Sequence, residues 1–348
     1  MKIRGAKESE LAEVVDLNCL VFRPTEAEAP ARYWSYLREE STYELEQSRV
    51  LVDQGRVVAH LRVWDRQIRV RKAHLRVGGI GSVLTHPDVR GRGYARALLR
   101  DAEAYMAQCG YDLGMLFTII GTSFYAKLDW VPIPLPTFVF DLDQYRETPT
   151  TLGRNLDPER DLSSLIALYD VANADLSGTE VRTEAYWQSG PSRYRSLFPN
   201  KVIEQNGQLV GYLNYAVDTN ALEVREACFT PGNNWACNEL ALILLAEARK
   251  KDLQTIKGSL PIDHPLIEQL CKLSDAQPHW NQHEKTMVKI LNWLDLTAKL
   301  GVQETPDSPD DESRFWSELF NPASESTPTW LSKLPPARGF FYWEPDVF

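Results

Sequence analysis

Ser82-Val83-Leu84-Thr85-His86-Pro87-Asp88-Val89-Arg90-Gly91-Arg92-Gly93-Tyr94-Ala95 is the stretch whose reading decides the fold of this 348-residue chain. An aliphatic, β-branched segment runs into a proline that ends a strand. A glycine-studded turn follows and opens directly into an amphipathic helix. From Ala95 the apolar side chains recur at Leu98, Leu99, Ala102, Tyr105, Met106 and Cys109, and Gly110 closes the stripe. The glycines therefore sit at a helix N-terminus, where first-turn amides lack intrahelical partners and the helix dipole is positive. Such a turn can hold a diphosphate by main chain alone, with Gly91 and Gly93 allowing close approach and Arg90 and Arg92 adding charge at the rim.

Other nucleotide sites use a strand, a glycine turn and a helix. A P-loop needs Gly-Lys-Ser/Thr, which is absent, and a dinucleotide fingerprint needs three spaced glycines, of which Gly91 and Gly93 supply part. An ordinary helix-opening turn also stays open on this pattern alone. The spacing Arg90-x-x-Gly93-x-Ala95, after a Val83-x-Thr85-x-Pro87 strand end, resembles the acetyl-coenzyme A loop of the GNAT acetyltransferase superfamily. The resemblance implies that Arg90, Gly91, Arg92, Gly93, Tyr94 and Ala95 hold the pyrophosphate and that Val83, Leu84 and Thr85 hydrogen-bond the pantetheine. Gly121 is a further expected coenzyme contact.

The flanking pattern extends the likeness. Lys2-Ile3-Arg4 reads as an edge strand, Leu11 to Phe22 as a helix and Arg32 to Leu45 as a second helix. Arg49 to Val52 and Arg56 to Trp64 form a hairpin about Asp53-Gln54-Gly55, and Ala73–Val77 and Gly79–Thr85 continue the sheet. After the glycine-loop helix come a buried strand from Leu113 to Ile120, a short helix from Ser123 to Leu128 and a closing strand at Phe138–Leu142. Phe124-Tyr125-x-x-Leu128-x-Trp130 resembles the superfamily's second signature, whose tyrosine protonates the departing coenzyme A thiolate. That implies a catalytic role for Tyr125, and a phenol of pKa near ~10 suits it. Asp129 and Trp130 stand where the superfamily has glycine and phenylalanine.

Beyond the polar Thr148-Pro149-Thr150-Thr151 linker the order of elements repeats: a helix through Leu162–Tyr169, a hairpin with Asn206-Gly207 at its tip, a strand at Leu222–Phe229 and a helix from Asn238 to Lys250. No Arg-x-x-Gly-x-Ala survives at Thr230–Cys237, so this copy reads as a degenerate domain that binds no coenzyme. From Met287 the chain changes again, with a short helix through Leu300, an acidic proline-rich loop at Thr305–Asp311 and an aromatic end. Two such halves plus a tail resemble acetyltransferases of the enhanced-intracellular-survival type. The expected fold is α/β, an α+β mixed sheet in tandem GNAT-like domains: residues 1–146 catalytic, 147–285 degenerate, and 286–348 a C-terminal extension reading as a reduced sterol-carrier-like unit. In that family the C-terminal carboxylate enters the active site, which implies a catalytic role for Phe348.

Composition bounds the function. At 43% hydrophobic and 25% charged the chain reads as globular, and its net charge of −10 argues against nucleic acid and fits a cationic substrate. The cysteines Cys19, Cys109, Cys228, Cys237 and Cys271 are scattered and odd in number, as expected of a cytoplasmic protein. No apolar run has signal-peptide or membrane-spanning length. The six histidines lack metal-ligand spacing, so no metal is expected, and His86 reads as a strand-end polar residue. The expectation is an acyltransferase that moves an acetyl group from acetyl-coenzyme A, as co-substrate, to an amine-bearing small molecule or peptide in a ternary complex. Ring assemblies occur in the family it resembles, which makes a homo-oligomer compatible. The rival is an acetyl-coenzyme A-responsive binding or scaffold protein without turnover.

Overall fold

The computed structural model describes residues 1–194, 197–261, 263–302, 315–316 and 338–346. The first half contains β1 (Lys2–Gly5), α1 (Leu11–Phe22), α2 (Ala29–Arg38), β2 (Ser48–Asp53), β3 (Arg56–Val70), β4 (Ala73–Thr85), α3 (Tyr94–Gln108), β5 (Leu113–Phe117), α4 (Ser123–Ala126) and β6 (Val131–Asp141). The second contains β7 (Arg154–Asn155), α5 (Pro158–Asn173), β8 (Leu176–Ser177), α6 (Glu184–Gln188), α7 (Gly190–Tyr194), β9 (Lys201–Gln205), β10 (Gln208–Asp218), β11 (Ala221–Phe229), α8 (Asn234–Lys250), β12 (Thr255–Gly258) and α9 (Pro265–Ser274). β13 (His279–Ile290), α10 (Trp293–Leu300) and β14 (Arg338–Phe340) complete it.

Among the described residues, one mixed sheet of 12 strands runs β1-β2-β3-β4-β5-β13-β6-β12-β11-β10-β9-β7. The hairpin turns are set by local chemistry. Gln54-Gly55 and Asn206-Gly207 all adopt positive φ, the mirror-image turn whose twist matches that of the flanking strands. β4 and β5 are parallel with α3 between them, and β11 and β12 are parallel with α8 between them, so the second half repeats the pairing of the first. Antiparallel pairing of β6 with β12 joins the halves into one sheet.

α3 packs Leu98, Leu99, Ala102 and Met106 onto this sheet, and burial of each leucine is worth roughly 1.5–3 kcal/mol. Gly78 of β4 makes room for it: a Cβ there would stand 2.0 Å from the Met106 sulfur. The opposite face of β3 and β4 is covered by α1 and α2, whose Leu11, Val14, Val15, Tyr33 and Leu37 are buried.

Several elements depart from the sequence pattern. α2 begins at Ala29 and ends at Arg38 rather than spanning Arg32 to Leu45, because Pro30 suits a first helical turn and the Glu40 carboxylate is drawn down to Arg66 at 3.0 Å. β3 continues past Trp64 to Val70, because β4 returns beside it after a two-residue turn with Arg71 at φ 55°. β13 runs through the compositional boundary at 285/286 and lies between β5 and β6, with Val288 opposite both Met115 and Val131. All five cysteines are free, and no helix among the described residues is long and apolar enough to cross a membrane.

Candidate active site

β4 and β5 pair from Val77↔Leu113 to Ile80↔Leu116 and then separate. β5 turns away to β13, where Thr286 lies opposite Phe117 and the Thr118 amide donates to the Lys285 carbonyl at 2.8 Å. β4 meanwhile continues alone on that side to Thr85. A bulge at Ser82, with φ 52° and a register shift against β3 between His60 and Arg62, turns the strand as it parts. The main chain of Val83, Leu84 and Thr85 therefore presents an edge toward β5 that no strand among the described residues fills. Leu84 is buried on the α1 side, and Val83 packs half-buried toward α3.

That edge leads to the glycine loop. Gly91 and Gly93 take φ of 78° and 81°, the left-handed region that side chains other than glycine rarely adopt. A Cβ on either would meet nothing within 4 Å, so the space in front of the loop is open. Gly93 is the N-cap of α3 and offers no side chain, while Arg90, Gly91, Arg92 and Gly93 are all exposed. The first intrahelical bond there runs from Ala97 N to Gly93 O, which leaves the amides before it facing outward. Arg90 Nε donates to the Thr85 carbonyl at 3.3 Å, tying the loop to the strand end. Tyr94 and Ala95 are half-buried at the helix start. Main-chain donors with a positive dipole and open space fit a diphosphate. Gly93→Asp is expected to weaken acetyl-coenzyme A binding by at least ~30-fold in calorimetry, because a carboxylate would face the phosphates. Gly93→Asn tolerates the same backbone without the charge, so equal losses in the two variants would refute the electrostatic account.

Across the gap, α4 carries Tyr125, 6% exposed and packed edge-on to Phe124 at 5.0 Å. Among the described residues its hydroxyl has no hydrogen-bond partner, yet it is not among the fully buried unpartnered atoms and so retains access to solvent. Burial raises its pKa above that of free tyrosine, so the phenol keeps its proton at neutral pH. Asp129 holds the turn after α4 in the left-handed region, φ 63°, which aspartate accepts more readily than most residues. Trp130 is buried and donates to Glu103 of α3 at 2.8 Å, and Lys289 of β13 holds the other oxygen of Glu103 at 2.9 Å. Gly121, φ 87° and exposed, lies on the loop between β5 and α4 and accepts from Thr118 Oγ1 at 3.0 Å. His86 has a structural task, accepting from the Asp88 amide at 3.3 Å.

Phe348 lies outside the described residues, but the segment just before it is held at this end of the molecule. Phe340, Phe341, Tyr342 and Trp343 are buried, and the Tyr342 ring packs 5.1 Å from Phe117, the last residue of β5. Asp346 is fully buried and accepts from Arg182 Nε and Nη2, each at 2.8 Å, while Glu226 accepts from Arg182 Nη1 at 2.9 Å and from the shared Nη2 at 2.5 Å. Tyr186 donates to Asp346 at 2.9 Å, and Tyr342 donates to Glu180, which is itself paired to Arg66 at 3.1 Å. This network joins both halves and the tail through residues scattered along the chain. Sequence reasoning missed it, since its arginines and carboxylates fall in no motif.

Between α1, α2 and β3 a narrow cavity reaches Ser82 at the bulge. Its polar wall comes from alternate residues of β3, His60, Arg62 and Trp64, a pattern that reads in sequence as a solvent-facing strand side. Among the described residues no group of three or more His, Cys, Asp or Glu is placed to hold a metal ion.

Residues 2–133 match the family model for a GNAT acetyltransferase domain. No curated protein matches the chain. Among solved structures, a probable N-acyltransferase from Enterococcus faecalis V583 is similar at TM-score 0.66 and 16% identity, over 83% of this chain and 72% of that one. A GCN5-related N-acetyltransferase from Anabaena variabilis is similar at TM-score 0.67 and 16% identity, over 87% and 77%. Eis1 from Mycobacterium abscessus is similar at TM-score 0.60 and 16% identity, over 84% and 74%. At these identities the likeness is one of fold.

Proposed function

We propose, for an acyltransferase whose residues 2–133 form a GNAT acetyltransferase domain, that it carries acetyl from acetyl-coenzyme A to an amine in a direct ternary complex. The observation that carries the reading is the unpaired β4 edge running into a left-handed glycine loop at the start of α3. Acetyl-coenzyme A, when bound, supplies an activated thioester. The amides from Gly91 to Ala95 bind its pyrophosphate, with Arg90 and Arg92 at the rim, and Val83, Leu84, Thr85 and Gly121 orient the pantetheine arm. Tyr125 Oη holds the proton that the departing thiolate takes up. The cavity ending at Ser82 adjoins the same strand edge, as direct transfer between two bound molecules requires.

The second half, residues 147–285, is read as a degenerate repeat that buttresses the first. Its counterpart of the loop lacks the arginine–glycine spacing, and its α8 is capped by its own Asn233 side chain, which accepts from Ala236 N. The protein is read as cytoplasmic. Release of free thiol from acetyl-coenzyme A on addition of an amine, with one coenzyme bound per chain, tests the reading. Coenzyme binding without thiol release across a broad amine panel would make it a binding protein instead.

Phe348 completes the proposal. As the family resemblance implies, its α-carboxylate takes the proton that an incoming ammonium must lose. Extending the C-terminus with a tag is expected to lower turnover about 100-fold at unchanged thermal midpoint. A tagged protein as active as the untagged one would remove Phe348 from the mechanism.

A further inference from the structure

A sheet face under two helices ordinarily carries aliphatic side chains. The face of β3 under α1 and α2 instead carries His60, Arg62, Trp64 and Arg66, none more than 4% exposed. His60 is the informative one. Its Nδ1 lies 3.2 Å from Asn18 Nδ2, and that same amide nitrogen donates to the Val14 carbonyl at 2.8 Å. The bond to a carbonyl fixes which end of the Asn18 amide is nitrogen, and an amide nitrogen can only donate. His60 Nδ1 therefore accepts, and the ring proton sits on Nε2. Burial and the neighbouring Arg62 charge lower the His60 pKa to about 3, so the ring is neutral at physiological pH.

This leaves a buried donor, His60 Nε2–H, and a buried acceptor, Asn18 Oδ1, each without a partner among the described residues. Both residues line the narrow cavity that ends at Ser82. Polar atoms so deeply buried are costly to leave unpaired, and a cavity of this width seats one small polar group. The remaining wall is aromatic: Tyr36 stands edge-on to Tyr33 at 5.9 Å and to Trp64 at 5.3 Å. Among the described residues no carboxylate lines the cavity, and Arg62 is the charged side chain that does.

We propose that His60 and Asn18 form the recognition subsite for the acceptor, which is a monoamine bearing a compact neutral donor–acceptor group, a hydroxyl or carboxamide, on an apolar or aromatic body. This rests on the acetyltransferase reading above and names its substrate class. Polycationic amines are rejected, since a second ammonium would be buried beside Arg62 with no described carboxylate to receive it. The same positive charge favours the neutral, nucleophilic form of the reacting amine. The net charge of −10 then reflects solubility rather than attraction of a polycation.

Matched acceptors test this on the full chain by thiol release: tyramine against phenethylamine, 5-aminopentanol against pentylamine, and spermidine. The hydroxylated member of each pair is expected to have the higher kcat/KM by roughly 10- to 100-fold, with spermidine the poorest. In Asn18→Leu and in His60→Phe that preference within each pair should shrink to about 3-fold or less, whatever the absolute rates. Each variant is its own control for folding, because both members of a pair meet the same preparation. An ordered water alone in the cavity would give no preference in the native protein, which overturns the proposal, as would an undiminished preference in both variants or spermidine as the best acceptor. If amines are acetylated without such selectivity, only the subsite falls. If no amine releases thiol, the transferase reading falls and takes the subsite with it.

Discussion

Arg182→Met is expected to destabilise the protein by about 3–5 kcal/mol, the largest single-site loss the structure implies. Arg182 and Glu226 are fully buried, as is Asp346, and the arginine is the cation between the two carboxylates. Methionine fills much of the volume but leaves two carboxylates facing each other out of water, with Tyr186 and Tyr212 as their remaining donors. The thermal midpoint should fall by roughly 10 °C. The sign of the pH dependence follows. Burial already raises the Glu226 pKa and Arg182 opposes that rise, so without Arg182 it rises further; the variant's stability is then greatest below the unfolded carboxylate value and declines as pH climbs through the folded one. The deficit against native protein should therefore be smaller at pH 5 than at pH 8. A midpoint within 2 °C of native at pH 8 would show that the network is dispensable.

Tyr125→Phe is expected to lower turnover by about 10²–10⁴-fold, the usual worth of general-acid assistance. It removes one oxygen and nothing else. The ring keeps its contacts with Phe124 and the cluster around Leu98 and Trp130, and no hydrogen bond is lost because the hydroxyl makes none among the described residues. Coenzyme affinity by calorimetry and the thermal midpoint should both stay near native. A loss confined to turnover marks an interaction made as the thiolate departs. Unchanged turnover would reduce Tyr125 to a packing residue.

These two predictions come from residues of different legibility. Tyr125 and the glycine loop could be placed from the sequence because their geometry is local: a helix start, a left-handed turn and a short helix are set by neighbours within a few residues. Asp129 and Trp130 were the two irregularities in that reading, and at Asp129 the backbone adopts the conformation glycine would have taken. α2 differs at both ends from its apolar periodicity: Pro30 suits its first turn, and past its last turn a tertiary ion pair draws Glu40 to Arg66.

The sequence by itself determined the strand–loop–helix unit, the hairpins with their positive-φ turns, the repeated order of elements and the apolar faces of α3 and α8. Each follows from side-chain period and turn chemistry over a dozen residues or fewer. Only the tertiary structure decided where β4 parts from β5, because that depends on β13 arriving from some 170 residues downstream to take up the edge of β5. It alone decided that Asp346 meets Arg182, 164 residues away, and that His60 and Asn18 point unpartnered atoms into one cavity. Local periodicity carries no record of such pairings, since a buried charge or an idle donor is defined by what the rest of the chain leaves around it.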